Sequence, residues 1–177
     1  MKRPTDKLQT NIGGMLVAVI GFMLVAYYAV TAIPARDALW FWNGFDVKPV
    51  RMIVYQGGKQ TELLSGDPGY AELAEAVRAS LAEGVARPSG MGLSAGSLED
   101  AYKLYVTLEV FFDRPVKLHA SFNTDHPTQM LFPVTGRHSD LDVVFLGVEG
   151  AYLSGAPVLK TTEPIRKAMQ AAGFSIN

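Results

Sequence analysis

Midway along the chain, Gly92-Leu93-Ser94-Ala95-Gly96 spells G-x-S-x-G, and His119, His126 and His138 follow it with Asp125, Asp140 and Asp142. A serine activated by a histidine that an aspartate orients is the constellation for acyl transfer. That chemistry needs the serine on a sharp turn between a strand and a helix, above a large parallel sheet. Here the preceding residues, Arg87-Pro88-Ser89-Gly90-Met91, carry no strand pattern, and two glycines around a serine arise readily in a Gly/Ser-rich loop. An anchored hydrolase using Ser94 is therefore the weakest of three readings.

The same histidines and aspartates offer nitrogen and oxygen ligands. Yet His119 alternates with apolar residues as the solvent side of a strand, and Asp125-His126-Pro127 and Arg137-His138-Ser139-Asp140 read as turns, so no metal site is expected. The run GMGLSAG misses a phosphate-binding G-x-G-x-x-G by one residue and has no Walker lysine. No pair of carboxylates sits in an apolar setting that would separate two pKa values for acid–base work. Glu109 lies mid-strand, where its neighbours put it on the wetter face. Tyr105 and Phe111 share that face, which implies a cover supplied by the 85–96 loop or a partner, or else a cross-strand aromatic pair. With no coherent catalytic set and no cofactor motif, the expectation is a protein that is not an enzyme and carries no cofactor.

Composition narrows the rest. The 177 residues contain no cysteine, which excludes a disulfide scaffold, thiolate metal sites, a thiol nucleophile and a lipid-modified cysteine. A net charge of −1 argues against nucleic acid as the main partner. The mean hydropathy of +0.14 has a local origin, because no residue from Leu8 to Ala35 is charged.

Ile12 to Ile33 reads as 22 residues that would extend about 33 Å as a helix, enough for a hydrocarbon core of about 30 Å. The stretch is too long for the apolar part of a cleaved signal peptide, which points to an uncleaved anchor. Lys2, Arg3 and Lys7 precede it against Asp6, so the positive-inside rule places the tail in the cytoplasm and the bulk outside the plasma or inner membrane. Beyond the tail remain 13 basic and 16 acidic residues, a mildly acidic exported part. Tyr27, Tyr28, Trp40, Phe41, Trp42 and Phe45 form an aromatic collar at the outer boundary, suited to the bilayer interface or to a partner protein. Gly14, Ala18 and Gly21 form a small-residue stripe that would permit close helix packing.

The remaining residues must supply the scaffold. Alternation predicts strands around Val50–Tyr55 and Gln60–Leu64, joined by a Gly57-Gly58 hairpin. It also predicts strands over Lys103–Phe112, Val116–Phe122, Gln129–Val134 and Leu141–Leu146. Asp67 and Pro68 open a helix with Tyr70, Leu73, Val77 and Leu81 on one face and Gly84 as its stop. A second helix follows Thr161 or Thr162, with Ile165, Ala168, Met169 and Ala172 on one face, and Gly173 ends it. Ser97–Asp100 suggests one helical turn.

The fold class expected is α+β: one N-terminal transmembrane helix, then a small, mostly antiparallel sheet of about five to six strands covered by two helices. Its organisation is a cytoplasmic tail at 1–10, the span at 11–34, an aromatic linker at 35–46 and the exported domain at 47–177. The layout resembles that of bacterial membrane-anchored envelope proteins, but no family-specific motif is present. The expected role is a non-enzymatic protein-binding or accessory subunit of a membrane complex. The alternative is an extracytoplasmic domain that senses or binds a small ligand in an apolar pocket under the 85–96 loop.

Overall fold

In a computed structural model describing residues 12–176, the uncharged stretch forms one helix, α1 (Ile12–Ala35). It is long and apolar enough to cross a membrane, with a mean hydropathy of 2.3 over its most apolar 18-residue window and none of that window buried. The tail assigned to 1–10 lies outside the described residues. The helix closes with a Schellman pair: Arg36 N–H reaches the Ile33 carbonyl at 3.1 Å and Asp37 N–H the Ala32 carbonyl at 3.2 Å. Arg36 takes the left-handed conformation (φ 52°) that glycine more often supplies at this position.

The rest is an α+β domain. Strands β1 (Arg51–Gln56), β2 (Lys59–Leu64), β4 (Val106–Phe111), β5 (Gln129–Pro133), β6 (Phe145–Val148) and β7 (Ala151–Tyr152) form one antiparallel sheet in the order β2-β1-β4-β5-β6-β7. β3 (Val85–Arg87) and β8 (Val158–Leu159) make a separate pair. The β1–β2 turn uses Gly57 and Gly58, both at positive φ, as the right-handed twist of a two-residue hairpin requires.

Period-2 alternation sorts side chains onto two buried faces. Met52, Val54, Leu108, Val110, Met130, Phe132 and Leu146 point to one face, where α2 (Tyr70–Ala82) and α4 (Glu163–Ala171) pack through Leu73, Val77, Leu81, Ile165 and Met169. These are the two helices the spacing predicts, except that Ala172, expected on the second apolar face, is exposed and follows the end of α4. The opposite face is also covered. Leu131, Phe145, Val143 and Ala156 pack under Met91, Leu93, Leu98 and Tyr102, contributed by the 88–94 loop and by a third helix, α3 (Ala95–Lys103).

Several sequence expectations shift. Lys103 ends α3, so β4 begins only at Val106. Val116–Phe122 belongs to no ladder and bends at Ser121 and Phe122: Val116, Leu118 and Ala120 are buried alternately, and their alternation records packing over the core. Leu141 closes a short 3-10 turn, and the last predicted strand starts at Phe145. Gly69, not Asp67, is the α2 cap; the Asp67 carboxylate instead accepts the Leu64 N–H at 2.7 Å.

Candidate functional site

Two polar constellations occupy positions that the core would otherwise fill with carbon. The first lies where α1 meets the domain. Asp37, 4% exposed, follows the Schellman turn and accepts the Leu39 N–H at 2.9 Å. Its other contacts come from far along the chain: Lys117 Nζ at 3.0 Å and His119 Nδ1 at 2.7 Å, both on the 116–122 segment. Burial opposes ionisation of Asp37, but the hydrogen bonds from His119, Lys117 and the Leu39 N–H outweigh it and hold the carboxyl below its ordinary range. One carboxylate thus fastens the end of α1 to the domain.

The collar residues divide around this clamp. The Tyr28 hydroxyl donates to the Ala38 carbonyl at 2.8 Å, and Trp42 N–H closes a tight turn onto the Leu39 carbonyl at 2.8 Å. Trp40 stands edge-on to Tyr27, with ring centroids 6.0 Å apart, and to Phe41 at 5.8 Å. The Trp40 indole N–H is buried with no acceptor among the described residues. Leu39, Phe41 and Trp42 are exposed at 51%, 56% and 56%. Phe45 is a correction to the expected collar: it is buried in the main core against Phe112, ring to ring at 5.8 Å, and offers no surface to lipid or partner. Gly14, Ala18 and Gly21 lie on the exposed surface of α1, and a Cβ added at Gly21 would meet nothing within 4 Å.

The second constellation surrounds Glu109, which sequence placed on the wetter face. It is 4% exposed, set between Ile53 and Leu131 in the strand register. Three phenols converge on it: Tyr55 on Oε2 at 2.9 Å, and Tyr102 at 3.0 Å together with Tyr152 on Oε1. The Tyr55 and Tyr102 rings stack with centroids 4.2 Å apart. Among the described residues no cation pairs with Glu109. A carboxylate offers only acceptors, so three O–H donors from β1, α3 and β7 satisfy it without a counter-charge. Burial, and then the neighbouring Glu109, push Tyr102 up to about 12. Tyr55 and Tyr152 shift in the same direction, again with burial as the leading cause. The aromatic side chains on this nominally polar face were the available sequence signal; the cover is α3 with the 88–94 loop.

The serine motif has a local use. Ser94 is the N-cap of α3, its Oγ accepting the Ser97 N–H at 3.2 Å and bonding Ser97 Oγ at 3.0 Å. No hydrogen bond joins Ser94 to a histidine among the described residues. His119 is held by Asp37, and His138 stands edge-on to Phe145 at 5.5 Å. Asp142 accepts both the N–H and the hydroxyl of Thr162 at 2.8 and 2.6 Å, fixing the start of α4. Among the described residues no three His, Asp or Glu side chains gather as a metal site. The cleft beside Leu93, Ser97, Tyr105, Arg137 and His138 leaves about 20 Å³ open, room for a single water.

These features define an α+β domain carried on one N-terminal apolar helix. Compared with known proteins, the chain matches no family model, no curated protein sequence and no solved structure.

Proposed function

We propose that this is a single-pass membrane protein of the bacterial envelope, with its N-terminus cytoplasmic and its α+β domain outside. In this reading the domain serves as a non-enzymatic, protein-binding or accessory subunit of a membrane complex. The observation that carries it is the state of α1: its most apolar window is wholly unburied by the domain, while its end is gripped by Asp37, Lys117 and His119. A helix of that hydropathy finds its solvent in lipid. A domain fastened to the helix end presents its outer surface at a fixed height above the bilayer, as a subunit of an assembly requires. The exposed surface of α1, with Ala18 and Gly21 among its small residues, suits contact with lipid and with neighbouring helices.

Isolation of the full chain from native membranes in mild detergent tests both parts. The expected result is retention in the membrane after alkaline carbonate washing and a stoichiometric membrane protein that co-purifies. Release by carbonate overturns the anchor, and a lone monomer from intact membranes overturns the subunit role. Protease added to spheroplasts should digest the C-terminal domain; its protection would reverse the orientation.

A further inference from the structure

We propose that the turn at 37–42 is a second membrane contact, laying Leu39, Phe41 and Trp42 into the headgroup layer of the leaflet through which α1 emerges. The proposal rests on the single-pass reading above and adds where the domain sits. Its basis is a reversal of chain direction. After the Schellman stop the chain does not continue away from α1 but returns alongside it, so that Trp40 packs on Tyr27 and the Ala38 carbonyl meets the Tyr28 hydroxyl. Tyr27 lies eight residues before the helix end at Ala35, which is about 12 Å back along the axis at about 1.5 Å per residue. The turn therefore lies beside the last turns of α1, with the Trp40 ring against the Tyr27 ring.

Tyrosine and tryptophan rings at the end of an apolar helix settle at headgroup depth. Leu39, Phe41 and Trp42, the large apolar side chains of the turn, are exposed, and the turn is joined to α1 by the Trp40–Tyr27 ring contact and the Tyr28–Ala38 hydrogen bond. Asp37, the acidic residue within the turn, is buried, paired with the Lys117 ammonium and hydrogen-bonded to His119, so it presents no bare negative charge to a lipid surface. The same clamp makes the turn rigid with the domain, so insertion of the turn fixes the domain's height and tilt.

Both tryptophans of the protein lie in this turn, which makes it directly observable. The full chain carrying Trp40→Phe, with Trp42 as its sole tryptophan, is reconstituted into phosphatidylcholine–phosphatidylglycerol vesicles. Lipids brominated near the headgroup end of the acyl chain should quench Trp42 fluorescence several-fold more than lipids brominated near the chain terminus, and aqueous acrylamide should quench it weakly. Strong acrylamide quenching with no response to brominated lipid means the domain stands clear of the bilayer and overturns the proposal. Protection from both quenchers means a second copy or another protein covers the turn, which also overturns it. Release of the protein from the vesicles by alkaline carbonate would instead overturn the anchor reading, so the two failures are distinguishable. Trp42→Phe, which leaves Trp40 against Tyr27, provides a reference ring packed against α1.

Discussion

Asp37 Oδ2 lies 2.7 Å from His119 Nδ1, joining the second residue after α1 to one 82 positions later in the chain. With Lys117 on the other carboxylate oxygen, this contact gives the 35–46 stretch a fixed attachment to the domain. It also helps to hold Val116–Ala120, which has no strand partner: the core takes its apolar side, Asp37 its polar side, and the Val116 N–H reaches the Pro127 carbonyl at 2.9 Å.

Removing the Asp37 charge should therefore loosen the attachment of α1 while the sheet stays intact. Asp37→Asn keeps the Leu39 contact but weakens the bonds to Lys117 and His119, a loss of about 1–3 kcal/mol for charge-assisted contacts beside a partly exposed partner. The expected result is faster proteolytic cleavage within 36–45 with circular dichroism unchanged. Acid should act alike. The carboxyl is held below its ordinary 3.8, so its contribution is present above that pH and is lost as pH falls through the lower, folded value. Cleavage by an acid-active protease should accelerate only below about pH 4.

Alkali probes the other constellation. Tyr55, Tyr102 and Tyr152 all ionise later in the folded protein than their ordinary value of 10.0. The folded state then holds protons that the unfolded state releases, so this stability is complete below pH 10 and is lost as pH rises toward and past 12. A melting temperature that is flat from neutrality to about pH 9.5 and then falls is expected. Phenolate absorbance should lag behind that of free tyrosine until the domain unfolds.

Much of this architecture was legible in the sequence because the relevant signals are local. Gly57-Gly58 marks the hairpin, Gly84 and Gly173 end helices at positive φ, and the Leu73, Val77, Leu81 spacing marks a buried face. The illegible parts depend on tertiary partners. Alternation at Val116–Ala120 reports one buried side and cannot say whether a ladder or a clamp holds the backbone. For Glu109, period 2 correctly placed it opposite Leu108 and Val110, but α3 turned a nominally wet face into a second core. Asp37 has no local signature, since Lys117 and His119 approach it only in the fold.

Ser94 separates a capping role from a catalytic one. An N-cap serine contributes about 1 kcal/mol, so Ser94→Ala should lower the melting temperature by about 2–4 °C for a chain of this size. Ser94→Asp should restore it, because aspartate accepts the Ser97 N–H equally well. A nucleophile would not tolerate aspartate. Labelling of the wild-type protein at Ser94 by a fluorophosphonate, abolished in both variants, is the result that would contradict the capping assignment as a full account.

The Glu109 cluster gives the sharpest test of how the second core is held. Glu109→Gln preserves shape but replaces one acceptor-only oxygen with an NH₂ group, so three phenolic donors face too few acceptors. Leaving one donor unpaired in a buried site costs about 1–3 kcal/mol. Glu109→Leu strands all three and should destabilise more, despite its apolar side chain matching Ile53 and Leu131 on either side. Tyr152→Phe removes one donor while the carboxylate keeps two, and should cost about 1 kcal/mol. Combined with Glu109→Gln it should cost less than the sum of the two, because the two remaining phenols then match the two lone pairs of the single amide oxygen. Urea unfolding of the four full-length variants in detergent measures the cycle. Strict additivity would show that Tyr152 packs beside Glu109 without bonding it.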